Sequence, residues 1–453
     1  MLPEWSNRFV VRITMRAFFA LIASAVILPV SAQEKMSFRV ADSLSYHHYE
    51  SGNWNELVRT GNEAIRQGHD YYYLRMRTGI AYYMLGHFRA AATHFGKALD
   101  FNHADRTAIE YLQSSYLLGG MNAEAAYLNK RFPGIIESPG LSSKVFSNLF
   151  LLSGISLSGS EGKLQGLNIA GKEGIYGEVN LSGDMLINQA GFNYSPQPHW
   201  LWYAGYSNIR LERYQRIVAG GMDTVNHTYT LKQHAFYANF PIRPATGWQI
   251  IPALHLMLIR DNAILMHFDN VAQEYMQQTG AAPSLHYVFS CKILKEMPYL
   301  SLGPAFGYSR LNENEQLQLS FDMNVYPFAN LNLYTFSGFV TTYENGRLYP
   351  HFKQVIGGRV TNWLWLQGGF QGGEIRNAHH ENGLLVFNMA GRIRTRSSAT
   401  VYIPGGEKFN FSLEYNFIQQ QDDYLEYTDN VNYTLNPVQY NNHQILGGIK
   451  WKL

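Results

Sequence analysis

Cysteine is almost missing: Cys291 is the only one in 453 residues. That excludes an internal disulfide and any metal site built from several thiolates. Charge is also scarce, at 15% of residues, and the two signs nearly cancel to a formal +2. Such a balance offers no surface for nucleic acid and no polyelectrolyte tail. Long apolar runs are lacking too. Outside Ala17 to Val30, no stretch is apolar enough for a transmembrane helix.

Catalytic groupings are equally absent, and the chain is not expected to be an enzyme. A hydrolase needs an activated Ser beside His, or paired carboxylates beside His. His379, His380 and Glu381 are adjacent in a predicted outer loop. Adjacent side chains seldom converge on one ion, so the expectation there is a solvated loop. Asp422, Asp423 and Asp429 lack the spaced ligands and the glycine of a calcium loop. No cofactor and no metal are expected.

Near the N-terminus, Arg12 and Arg16 precede the apolar run, and Val30, Ser31 and Ala32 supply small residues at its end. Residues 1–32 are therefore expected to be an export signal, cleaved before Gln33.

Aromatic residues are plentiful, at 14% with 31 Tyr, and Tyr suits a membrane interface. From Gln316 to Val325 the pattern has period two. Leu317, Leu319, Phe321, Met323 and Val325 share one face, and Gln316, Gln318, Ser320, Asp322 and Asn324 share the other. About fourteen such strands fit residues 143–453, with twelve or sixteen as alternatives. Closed, with apolar residues outside, they make an antiparallel transmembrane barrel. Short turns rich in Pro and Gly alternate with longer loops, which puts the short turns in the periplasm of a Gram-negative cell. The loops long enough to fold inward are 158–174 and 261–282.

Ahead of the barrel the period becomes helical and repeats at 34 residues, over 38–138. In the middle copy Gly79, Tyr82, Gly86, Phe88, Ala91, Phe95 and Ala98 hold the signature positions. The first copy has Gly52, Trp54 and Ala64, and the third Tyr116, Gly120 and Ala125. Gly61 departs from the pattern, where a bulky residue is usual. Two Pro-Gly pairs end this part, leaving a linker at 139–142. The 34-residue pattern resembles the tetratricopeptide repeat. That resemblance implies helix pairs with a concave face that binds a protein, here a periplasmic partner. The expected fold is thus two-domain α + β, with helical repeats followed by a barrel of about fourteen strands.

Alternation also suggests what faces inward. On the premise that apolar residues face lipid, Asn208, Arg210 and Glu212 point to the lumen opposite Ile209 and Leu211. Lys353 and Arg359 do so opposite Phe352, Ile356 and Val360. Arg392, Arg394 and Arg396 form an inward ladder, joined by His286, Lys292, Asp322 and Glu414. The expected lumen is polar with a basic excess. It would favour an anionic solute or glycan, or its arginines would pair with inward carboxylates such as Glu414.

The domain order resembles exopolysaccharide export porins, in which periplasmic repeats recruit enzymes and a barrel passes the polymer. The resemblance implies a channel coupled to a periplasmic partner, set in outer-membrane lipid. The alternative is a non-conducting anchor that docks a secretion or envelope-assembly complex. A plugged lumen would favour the anchor, and an open basic one transport.

Overall fold

The computed structural model describes residues 35–135, 146–167, 176–195, 201–218, 224–269, 274–279, 283–389, 391–406, 408–427 and 432–453. The expected export signal and the 139–142 linker lie outside them.

Six helices lead the described chain. They are α1 (Phe38–Glu50), α2 (Trp54–Arg66), α3 (Tyr72–Met84), α4 (Phe88–Phe101), α5 (Arg106–Leu118) and α6 (Asn122–Arg131). The starts of α1, α3 and α5 are 34 residues apart, as are those of α2, α4 and α6. Each tight turn within a pair holds a glycine with positive φ: Gly52 at 66°, Gly86 at 76° and Gly120 at 73°. Only glycine takes that conformation without strain, so the recurring residue sets the recurring turn. Ala64, Ala91, Ala98 and Ala125 are fully buried, where small side chains let neighbouring helices close up. A Cβ on Gly79 would stand 2.8 Å from a ring carbon of Phe95. Gly61 is forced in the same way, since a Cβ there would collide with the Thr78 hydroxyl.

Fourteen strands then close a barrel. They are β1 (Phe146–Ser158), β2 (Gly177–Tyr194), β3 (Trp202–Val218), β4 (Val225–Asn239), β5 (Trp248–Arg260), β6 (Ser284–Glu296) and β7 (Leu300–Leu311), followed by β8 (Asn314–Val325), β9 (Leu333–Glu344), β10 (Arg347–Thr361), β11 (Leu364–Ile375), β12 (Arg392–Gly405), β13 (Phe409–Tyr427) and β14 (Tyr433–Lys452). Each pairs antiparallel with the next, and β1 pairs with β14, Ile155 opposite Ile445, so no edge is left open. On β8 Leu317, Leu319 and Phe321 are exposed on the outside, while Gln316 and Gln318 are buried inside. Apolar exterior and satisfied backbone are what a bilayer demands, and the fold is that of an outer-membrane barrel. Aromatic side chains gather at the short-turn end, with Trp202 against Phe240 at 5.3 Å and Phe409 stacked on Trp451 at 5.9 Å.

The helical domain is fastened to that end. Arg89 donates its backbone N–H to Ala329 O at 2.8 Å. Its guanidinium reaches the carbonyls of Met297 (3.1 Å), Pro298 (3.2 Å) and Gly119 (3.1 Å) and lies 4.1 Å over the Tyr326 ring. Glu124, fully buried, pairs with Arg243 and accepts from Gly247 N at 2.8 Å. These contacts use three turns, β4–β5, β6–β7 and β8–β9, along one side of the rim.

Candidate functional site

The lumen is crossed by the connection between β11 and β12, which dips inward as a hairpin. Ala378–His380 pairs with Leu385–Phe387, and Glu381, Asn382 and Gly383 turn the tip with φ of 50°, 55° and 85°. The tip is tied to the neighbouring strands β5 and β6. His255 Nδ1 donates to Gly383 O at 2.8 Å, Ser290 Oγ to Asn382 O at 2.9 Å, and Asn382 Nδ2 to Ile251 O at 2.8 Å. Farther round the wall, on β8, Gln318 both donates to His379 O (2.7 Å) and accepts from His379 N (2.9 Å). Lys353 pairs with Glu381, and the Nε2 atoms of His351 and His380 meet at 2.9 Å, one donating to the other.

This corrects two expectations. His379 and His380 are buried inside the barrel rather than solvated in an outer loop. The segment that crosses the lumen lies between β11 and β12, and among the described residues of the two longest loops Ile264 also turns inward, bonded to the buried Gln215 at 2.8 and 3.0 Å. Among the described residues of those loops, Ser160–Gly166 forms a short helix, and Ile264–Asp269 pairs with Glu274–Thr279 as a hairpin.

The hairpin divides the lumen into unlike halves. On the side of β6 to β13 the wall is polar. Lys292 pairs with Asp322 at 2.5 Å and Arg396 with Glu414 at 3.0 Å, so these cations and Lys353 each face a carboxylate. On the side of β1 to β5 the inward residues include Leu152, Met185, Ile187, Ile209, Leu211, Leu231 and Ile259, together with the polar Gln189, Arg213 and Gln233. The hairpin turns Leu384, Leu385, Val386 and Phe387 toward them. Between the two lies a cavity of about 830 Å³. Its polar groups include Gln233, His286 and Arg213. Arg213 is held by Ser182 Oγ at 2.5 Å and Asn180 Oδ1 at 2.9 Å.

Several expected lumen residues lie elsewhere. Arg210 and Glu212 are exposed on the outer face, as is the row of Asn208. Arg210 stands opposite the exposed Leu186, and Asn208 opposite Asn188, whose side chain accepts from Ser153 outside the barrel. β3 has the two expected faces, but its apolar face is the inner one, lining the cavity that also takes the apolar side of the hairpin. Arg392 and Arg394 also face outward, against Asp423 and Glu374. A bulge between Ile393 and Thr395 breaks the alternation, so Ile393 is buried in the lumen and the ladder keeps only Arg396. Arg359 sits on the inward row at the turn end, exposed, donating to Asn362. The described lumen is therefore partly apolar, and Lys292, Lys353 and Arg396 each face a carboxylate while Arg213 is held by neutral oxygens. Arg213 and the hairpin went unnoticed in the sequence. The Asn-Gly at 382–383 inside a loop was the signal available.

No family model and no curated protein matches the chain. Among solved structures, the toluene transporter TodX of P. putida covers 72% of this chain and 92% of its own, at 7% identity and a TM-score of 0.43. A FadL homologue of Pseudomonas aeruginosa covers 68% and 90%, at 7% identity and 0.40. The outer membrane protein Omp33 of Acinetobacter baumannii covers 68% and 100%, at 6% identity and 0.30. Each likeness is faint and is one of shape.

Proposed function

We propose that the chain is an outer-membrane channel closed by its own hairpin, with a lumen site for a small apolar or amphipathic molecule. The observation that carries this reading is the cavity of about 830 Å³ between the apolar wall of β1 to β5 and the apolar side of the hairpin. Its size suits a small-molecule site, and a few polar groups would orient a polar end. The pairing of Lys292, Lys353 and Arg396 with carboxylates speaks against an anionic polymer as cargo. The hairpin is a discrete element held by hydrogen bonds and by packing of Ala378, Val386 and Phe387 on the wall, and a loop segment of this kind can move while the wall stays rigid.

The helices repeat at the spacing of tetratricopeptide units, and we read them as a periplasmic platform for a protein partner. Fastened to three turns, they would present that partner beside the barrel mouth. The same fastening and the closed lumen favour the second reading, a non-conducting anchor. An anchor, however, has no need of an apolar lumen cavity.

The test pairs two measurements on the refolded protein. Steady conductance in a planar bilayer is expected to be absent in the wild type and present when residues 378–387 are replaced by Gly and Ser. Wild-type protein is also expected to bind a fluorescent apolar naphthylamine, and Ile209→Asp to weaken that binding. Lack of probe binding by a folded wild type would leave the anchor as the better account.

A further inference from the structure

Arg210, expelled from the lumen by the packing of β3, does not stand alone outside. In register it faces Lys232 on β4, and Lys232 faces Arg260 on β5. All three are exposed on the outer wall. Cations directly opposite on neighbouring strands repel, each pair costing stability unless an anion lies between them. Among the described residues, none of the three has a carboxylate within ion-pair distance. Glu212, one step toward the loops, instead faces Thr230 and accepts from the Tyr214 hydroxyl at 3.2 Å.

The row also marks a boundary. Below Arg260 the outward residues of β5 are Leu258, Leu256 and Leu254, running down to Trp248. That is twelve residues of strand, about 30 Å along the membrane normal at the usual tilt, against an apolar band of about 25 Å. On β4 the outward face changes from Phe236 to Lys232 through His234. The row therefore sits where hydrocarbon gives way to headgroups, on the loop side. A shallow groove of about 370 Å³ opens beside it, with Ile155, Leu157 and Leu186 as its apolar floor and Arg210 and Lys232 at its rim; its two carboxylates, Asp184 and Glu212, are engaged by Ser158 N (2.7 Å) and the Tyr214 hydroxyl.

We infer that Arg210, Lys232 and Arg260 form a binding site for the phosphate of a loop-side lipid whose acyl chain lies along the apolar floor. The inference rests on the barrel crossing a membrane and not on what passes through its lumen. Cations in one register row on three adjacent strands can converge on a phosphate's oxygens, which guanidinium groups grip in pairs. The adjoining apolar groove selects a lipid rather than a free ion.

The test uses the full-length protein in detergent. A glucosamine-based lipid bearing two phosphates, its phosphate-free counterpart, and inorganic phosphate are each titrated and retention is read by native mass spectrometry. The doubly phosphorylated lipid is expected to bind tightly, the phosphate-free one weakly, and millimolar phosphate to compete poorly. The triple variant R210Q/K232Q/R260Q is expected to weaken the phosphorylated lipid roughly 100-fold, at about fivefold per cation. Retention of heat-modifiable gel mobility shows that the barrel has folded. Should the triple variant fail to fold, the three single variants carry the measurement. Equal binding of both lipids, an unchanged variant, or phosphate binding as well as the lipid would each overturn the assignment.

Discussion

In the helical domain Leu57, Phe95 and Ile109 are sealed from solvent, while in the barrel Leu319, Phe339 and Ile356 are more than half exposed. The two regions draw on the same side chains and bury opposite faces. Helices hide an apolar stripe from water, and the barrel offers its apolar face to lipid and keeps its polar groups inside, paired with one another. The difference shows in where charge is tolerated. Around the helices, fully buried charge occurs at the seam with the barrel, where Arg89 and Glu124 are matched by turn carbonyls and Arg243. In the barrel, charge belongs to the lumen, as in Lys353 with Glu381, or to the rim, as in Arg392 with Asp423.

Removing the seam would separate the two regions. Arg89→Ala deletes three carbonyl contacts and strands Glu296, whose carboxylate is 3.7 Å from the guanidinium. The expected loss is about 3–5 kcal/mol of docking, read as proteolytic release of the helices from a barrel that stays folded. Protease sensitivity unchanged from the wild type would mean that Arg89 does not hold the seam.

The second test concerns the lipid face. Leu319→Arg, at the middle of β8, is expected to cost about 2–4 kcal/mol of barrel stability in urea titration and nothing in the helices. A neutral result would show that β8 does not face hydrocarbon.

The third is acid. Burial draws the His94 imidazole down from 6.5 to about 4. A neutral buried ring contributes its full stability above pH 6.5, and that contribution is lost as pH falls from 6.5 toward 4. The loss is roughly 3 kcal/mol when complete. Hydrogen bonds from Arg77 and Arg75 hold Asp42 and Asp70 below the usual carboxylate range, so their contributions disappear only at still lower pH. Helical circular dichroism is expected to decline through this window, and His94→Gln to flatten the part above pH 4. An unshifted profile in the variant would remove His94 as the cause.

Period determined much of the architecture. The 34-residue spacing carried Gly52, Gly86 and Gly120 to equivalent turns, because only glycine takes their positive φ without strain. Period two located the fourteen strands, because successive side chains on a strand must alternate. It did not say which face was inner. On β8 the apolar face meets lipid, yet on β3 Ile209 and Leu211 point into the lumen, where they share a cavity with Leu385 and Phe387. One bulge at Ile393 and Thr395 then exchanged the faces of every residue beyond it, which took Arg392 and Arg394 outside. Local sequence thus determined the strands, the helices and their turns, since these depend on neighbours along the chain. The inner face, the hairpin in the lumen and the cation row on the wall were decided by tertiary structure, since each depends on residues that meet only when the barrel closes.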